Sequence, residues 1–134
     1  MTINLFGEDV PEQETTDNDF WCTPLDLYPE DCFDPCPRNP TFDGLSIPWH
    51  GKVFCNPPYS QIPLWIGKAL KEAQSSDVQS IDMLLPSWTD RAWFQLIKDY
   101  PIDFKRGRLK FLDPATMQVG KYNPQFGSMI VKIK

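Results

Sequence analysis

Hydrophobic and polar positions change their period several times along this chain, and each change marks a different kind of element. Residues 1–18 are acidic and hold only Ile3, Leu5, Phe6 and Val10 as apolar anchors. From residue 19 to residue 48 no period is sustained, and six of the fourteen prolines fall there (Pro24, Pro29, Pro35, Pro37, Pro40 and Pro48). Prolines this dense leave no room for a long helix or a central strand. Val53 to Cys55 is a short apolar strand. Beyond it Ile62, Trp65, Ile66, Ala69, Leu70 and Ala73 recur at steps of three and four, with Pro63 in a first turn and Lys68, Lys71 and Glu72 off the stripe, which predicts an amphipathic helix. Ser80 to Leu85 reads as a buried strand closed by Pro86. Thr89 is placed to cap a second helix, Asp90 to about Asp99, with Ala92, Trp93, Leu96 and Ile97 inward. Ile102–Phe104, Arg108–Leu112 and Ser128–Ile133 read as strands, with Asp113-Pro114 and Asn123-Pro124 as turn signals. Strand, helix, strand, helix and a final run of strands predict an α/β sheet whose last members pair antiparallel.

A chain of 134 residues suits one domain with a single core. We expect that domain to be 19–134, with 1–18 as a mobile acidic tail. No apolar run approaches the roughly 18–20 residues that span a bilayer, and no basic start precedes an apolar stretch at the N-terminus, so the expected location is the cytoplasm. The formal net charge is −5, but its distribution matters more than its sum. Residues 1–37 carry ten Asp and Glu and no Lys or Arg, residues 38–97 are balanced, and residues 98–134 carry eight basic against three acidic groups. Lys105, Arg106, Arg108 and Lys110 form a basic cluster in that last part, with Lys121 further on. They are candidates for phosphate contacts, or a solvated face on which Arg106, Arg108 and Lys110 line up by strand alternation. Cys22, Cys32, Cys36, Cys55 and the single His50 lack metal-ligand spacing, so no metal site is expected.

The most informative stretch is Val53-Phe-Cys-Asn-Pro-Pro-Tyr-Ser60. Two prolines cannot continue a ladder, so Asn56, Pro57 and Pro58 leave the strand as a stiff turn with outward carbonyls. An Asn side-chain oxygen and a backbone carbonyl can together accept both protons of an exocyclic amino group, and the Tyr59 ring offers a face to a planar heterocycle. The plain alternative is a turn that ends a strand over a buried aromatic.

Asn56-Pro57-Pro58-Tyr59 after an apolar strand resembles the catalytic motif of amino-group methyltransferases that use S-adenosylmethionine (SAM). The neighbouring motifs narrow the resemblance. Phe20-Trp21-Cys22-Thr23-Pro24, Phe33-Asp34-Pro35-Cys36-Pro37, Asp43-Gly44-Leu45 with Trp49, then Trp65, Leu84-Leu85-Pro86 and Gly107-Arg108-Leu109-Lys110-Phe111 are together similar to the small phage-type DNA N-6-adenine methyltransferases. The resemblance implies an abbreviated Rossmann-like SAM-dependent methyltransferase fold, methyl transfer to the N6 amino group of adenine in DNA, and SAM as cofactor. It implies a catalytic set of Asn56, Pro57, Pro58 and Tyr59, acting on an adenine flipped out of the duplex. Phe33, Asp34, Pro35 and Cys36 take the place of the cofactor loop, flanked by Thr23 and Pro24. Asp34 is expected to meet the amino group of the cofactor's methionine part and Phe33 its adenine, although Asp34-Pro35 can also be a plain turn.

Only 21 residues separate Asp34 from Asn56. A βαβ unit takes about 30 or more. The sheet must therefore be abbreviated on that side, with Asp43 supplying from a loop the carboxylate for the cofactor ribose. No glycine follows Cys36 until Gly44, a departure from the glycine-rich turn that usually lets backbone approach the cofactor. Two rivals share these residues: a same-fold RNA or protein-glutamine methyltransferase, and a non-catalytic phage binding protein on a decayed methyltransferase fold, whose acidic head mimics nucleic acid or occupies a host partner. The DNA recognition sequence and the oligomeric state are left open by the sequence.

Overall fold

The structure is a computed structural model that describes residues 2–3, 9–10, 23–37, 40–112 and 126–134. In chain order its elements are β1 (Thr2–Ile3), β2 (Asp9–Val10), β3 (Cys32–Phe33), β4 (Gly51–Cys55), α1 (Ile62–Glu72), β5 (Val78–Pro86), β6 (Ile102–Phe104) and β7 (Ser128–Lys132). Short 3-10 turns occupy Leu25–Leu27, Tyr59–Gln61 and Ala92–Leu96. Within the acidic head β1 and β2 form an antiparallel pair. The remainder of 1–18 lies outside the described residues, as does Lys121.

The other five strands make one mixed sheet in the order β3-β4-β5-β7-β6. β3, β4 and β5 are parallel, whereas β7 runs antiparallel to both β5 and β6. This is an α/β fold with antiparallel C-terminal strands, as the order of periods predicts. Strand alternation divides the buried side chains between two faces. Val53, Cys55, Met83, Leu85, Met129 and Val131 face α1, whose Ile62, Trp65, Ile66 and Ala69 complete the larger core with Trp49, Trp93 and Ile97. Phe54, Leu84 and Ile130 point the other way and are covered by Phe111, Leu109, Leu27, Tyr28 and Phe126.

Helix α1 begins where predicted, with Pro63 in its first turn, because the missing proline N–H is not needed there. Its C-terminal end departs from the stripe. Glu72 is only 7% exposed, because its Oε1 accepts the Trp49 backbone N–H at 2.6 Å and lies 3.5 Å from the Lys68 ammonium. Periodicity assigned Glu72 to solvent, but a long-range hydrogen bond holds it inside and ties the helix to the chain entering β4.

Two predicted elements take other forms. Instead of a helix from Asp90 to Asp99, the chain makes a 3-10 turn at Ala92–Leu96, entered from an extended Arg91 with no side-chain cap. Thr89 is exposed and its N–H bonds to the Ser87 carbonyl. Trp93 and Ile97 still reach the core, with Pro101 directly before β6. Arg108–Leu112 is not a strand of the five-stranded sheet either, and among these residues only Leu112 makes a β-bridge. The chain swings away at Gly107, whose φ of +71° is left-handed, and lays Leu109 and Phe111 on the sheet face beside Phe54, Leu84 and Ile130. Alternation is the same for a strand and for an extended segment covering a sheet, so the pattern alone could not separate them.

Candidate functional site

Strand direction gathers the chemistry. β3, β4 and β5 point the same way, and so does β6, because it is antiparallel to β7. Their carboxyl ends deliver, in turn, the Asp34–Cys36 loop, the Asn56–Tyr59 turn, the Ser87–Arg91 loop and the Lys105–Lys110 segment to one edge. The start of β7 brings Phe126 and Gly127 to the same edge, with Ser87 N–H bonded to Gly127 O at 2.9 Å and Lys105 N–H to Ser128 O at 2.9 Å. Carboxyl ends of parallel strands are where open α/β sheets bind their ligands.

On the β3 side of the Asn56 turn lies an open groove of about 140 Å³. It is lined by Pro35, Cys36, Pro37 and Pro40, by Phe42, Asp43 and Gly44, and by Pro58, Gln61 and Trp65. Of the residues predicted for a cofactor, Pro35, Cys36 and Asp43 meet here. Phe33 lies behind Phe42, stacked at 6.1 Å and 22°, and tilts over His50 at 4.5 Å. Pro24 does not line the groove. Its carbonyl accepts Leu27 N–H in the first 3-10 turn.

The absent glycine-rich turn is answered by Gly44. A Cβ at this position would sit 1.9 Å from the Pro35 carbonyl oxygen and 2.9 Å from Trp65 Cη2. The close approach is therefore between two stretches of this chain, and it sets how near the Asp34 loop stands to the Asn56 turn. Gly44 is fixed in place by its own carbonyl, which accepts Trp49 Nε1–H at 2.8 Å. Asp43 closes the turn through Oδ1, an acceptor for Leu45 N–H at 3.0 Å, and is otherwise exposed at the groove rim.

Asp34 faces inward. Oδ1 accepts Cys36 N–H and Oδ2 accepts the Tyr28 hydroxyl, both at 2.9 Å. Burial raises its carboxyl above the usual range, opposed by those two hydrogen bonds. Burial and the nearby Asp34 charge push the Cys36 thiol up to about 12. Asn56 follows the buried Cys55, and its Nδ2 donates to Thr23 Oγ1 at 3.0 Å, while Oδ1 is buried. Thr23 is thus placed against the Asn56 turn and not in the groove.

Tyr59 stands between two rings that meet it edge-on, Trp88 at 5.6 Å and Phe126 at 5.3 Å. Its hydroxyl is buried without a hydrogen-bond partner among the described residues, and burial raises its pKa, so it stays protonated. Arg91 lies over the Trp88 ring, 4.7 Å from its centre, a cation–π contact at the outer side of this cluster. Arg106, Arg108 and Lys110 are exposed, and Lys105 pairs with Asp103 at 2.7 Å. Tyr28, Phe42 and Phe126 carry no sequence signal that would have assigned them to the site, since each reads as one more scattered aromatic.

An α/β chain with a mixed five-stranded sheet and a groove beside a proline-stiffened amide turn is compatible with a methyltransferase-like fold. The chain belongs to the DNA N-6-adenine-methyltransferase (Dam) family, whose family model matches residues 39–134. The matched part includes Asp43, the Asn56–Tyr59 turn and the basic segment, and begins after Thr23 and the Asp34–Cys36 loop. Neither the curated proteins nor the solved structures gave a match. Among the described residues no helix is long and apolar enough to cross a membrane.

Proposed function

We propose that this protein uses SAM to methylate the N6 amino group of adenine in DNA, on an abbreviated Rossmann-like fold. The observation that carries the reading is the position of Asn56–Tyr59, in a chain of this family, at the carboxyl end of β4 with the groove on one side and the basic segment on the other. Bound SAM supplies an electrophilic methyl group. At about 140 Å³ the groove is smaller than the roughly 300–1,000 Å³ of enclosed small-molecule sites, so it would hold part of the cofactor. Its proline and aromatic walls suit an apolar heterocycle, and the exposed Asp43 carboxylate at its rim suits sugar hydroxyls, so Pro35, Cys36, Phe42, Asp43, Pro58 and Trp65 would hold the cofactor.

The target adenine leaves the duplex, at a cost of a few kcal/mol, and packs on Tyr59 within the Trp88–Phe126 cluster. Asn56 Oδ1 and the Pro57 carbonyl accept the two amino protons. Those bonds direct the nitrogen lone pair and shift density onto it, so the rate gain comes from positioning and electrostatics, with no covalent bond to the enzyme. Arg106, Arg108 and Lys110, with Lys105 and Lys121, contact phosphates.

The test is methylation of unmodified DNA, read by sequencing for modified adenines. Wild type is expected to methylate adenine, and Asn56→Ala to lower kcat about a hundredfold or more while keeping SAM affinity, the scale of losing one preorganised polar group at a reacting centre. Wild type that transfers no methyl group to DNA, RNA or protein would leave a binding protein as the reading.

A further inference from the structure

Phe104 is the one large hydrophobic side chain left exposed among the described residues, at 55%. It ends β6, and no described strand pairs on the far side of β6. On the near side Lys132 N–H bonds to the Pro101 carbonyl and Lys105 N–H to the Ser128 carbonyl, each at 2.9 Å. Main-chain groups alternate in direction along an antiparallel strand, so those of Ile102 and Phe104 point off the open edge. Register fixes the side on which the ring stands. Phe104 lies opposite Met129, which faces α1, and Tyr59 and Trp88 pack against the larger core on that same side. The carboxyl edge therefore presents Tyr59, then Trp88 under Arg91, then Phe104.

The residues after Phe104 decide what such a ring would meet. Residues 104–110 include Lys105, Arg106, Arg108 and Lys110 and no acidic residue. Asp103, just before the ring, is taken up by Lys105 at 2.7 Å, while Arg106, Arg108 and Lys110 are exposed. Their complement is a polyanion. Inside a closed duplex the bases cover one another, whereas an unpaired base offers its π-face to an aromatic side chain beside a basic track. We infer that Phe104 is a stacking residue for an unpaired DNA base that flanks the target, so that the protein holds single-stranded or locally open DNA more tightly than closed duplex. Three strand spacings of about 4.8 Å separate β6 from β4, roughly 14 Å in all. A nucleotide advances roughly 3.4 Å along a stacked strand, so the base on Phe104 is a neighbour of the target adenine and not the target itself. The inference deepens the proposed function and rests on it only for the partner being DNA.

The experiment measures binding of the full chain, without SAM, to a single-stranded DNA oligonucleotide and to the same sequence closed in a duplex, over a range of salt. Wild type is expected to favour the single strand. Phe104→Ala should weaken single-strand binding at least about fivefold, the lower end of what one stacked base contributes, and leave the log-log dependence on salt unchanged. Arg106→Ala is the contrast, because loss of a phosphate contact flattens that dependence. Phe104→Tyr keeps the ring face and should bind like wild type, whereas Phe104→Leu keeps only apolar bulk and should bind like Phe104→Ala. Where Phe104→Ala does not fold, Phe104→Tyr and Phe104→Leu decide the matter. Unchanged single-strand affinity in Phe104→Ala, wild-type affinity in Phe104→Leu, or a tighter hold on RNA of the same sequence overturns the inference. So does a change of oligomeric state in Phe104→Ala at unchanged DNA affinity, which would give the open edge to a second copy of this chain. If the variants bind as expected while wild type methylates nothing, the stacking surface stands and the proposed function falls. If wild type methylates DNA and Phe104→Ala binds normally, the reverse holds.

Discussion

Gly44→Ala adds one methyl group at the tightest backbone contact of the site. The new Cβ would meet Pro35 O at 1.9 Å, Pro35 C at 2.9 Å and Trp65 Cη2 at 2.9 Å. Real Cβ contacts do not fall below about 3 Å, so something must move. Two of the three atoms are backbone and the third belongs to a buried ring in the main core. Gly44 cannot simply retreat, because its carbonyl holds the Trp49 indole. Overpacking of this kind costs roughly 1–3 kcal/mol, and surrender of the indole bond adds about 1 kcal/mol. A domain of this size loses roughly 3–5 °C of Tm per kcal/mol, so the expected fall is on the order of 10 °C.

The same displacement should carry the Asp34–Cys36 wall away from Pro58 and weaken SAM binding, read by calorimetry at a temperature where the variant is folded. Gly107→Ala is the control. Its φ is +71° with nothing within 4 Å of a Cβ, so it costs only left-handed strain, about 1–2 kcal/mol, and should leave SAM affinity alone. If Gly44→Ala melted with wild type and bound SAM equally well, the close approach between residues 35 and 44 would be refuted, and with it the groove built on it.

Three further outcomes follow from charge and burial. Replacing Arg106 and Arg108 by Ala should weaken DNA binding and flatten the log-log dependence on salt by roughly one to two units, whereas an unchanged slope returns them to ordinary surface charge. The Cys36 thiol, pushed up to about 12 by burial and the Asp34 charge, is almost fully protonated at pH 8, so its alkylation by iodoacetamide should run clearly slower than that of an ordinary thiol; fast labelling at Cys36, located by mass spectrometry, would contradict the burial. Asp34 is raised above its unfolded value of about 3.8, so its contribution is complete below that value and is lost as pH rises through the folded one. The stability of wild type relative to Asp34→Asn, from urea titrations at pH 4 and pH 7, should therefore be more favourable at pH 4, and the opposite trend would show the carboxylate to be better stabilised than its burial implies.

The site was legible where one local pattern carried both structure and chemistry. Val53 to Tyr59 announces a strand, a stiff turn and an acceptor in consecutive residues, and Ile62 to Ala73 announces the helix behind it. Counting residues between Asp34 and Asn56 was also sufficient to foresee the shortened sheet, since β3 and β4 pair in parallel across a connection containing no helix among the described residues. What could not be read was set by partners distant in sequence. β3 is two residues long, below any period. Glu72 is buried by a bond to a residue 23 positions away, and Thr23 meets Asn56 across 33. The missing glycine after Cys36 was sought in the same loop, but the close approach is made by a glycine facing that loop from another turn. A sequence window cannot register a contact that exists only after the two turns meet.

The division of labour at the sheet edge also bears on the net charge. A chain of charge −5 would be repelled by DNA if its charges were spread evenly, but screening limits exposed charges to about 10 Å at 0.1 M salt. What an approaching phosphate meets is therefore the local set. On the β6 and β7 side of the Asn56 turn that set includes Arg91 over Trp88 and the exposed Arg106, Arg108 and Lys110. The groove on the β3 side is lined by prolines and aromatics with Asp43 as its carboxylate. In the proposed reading the polyanion and the cofactor approach Asn56 from opposite sides. The cofactor is a sulfonium cation, and its positive charge is better matched by the side that holds Asp43, with Asp34 behind it, than by the side that holds the arginines.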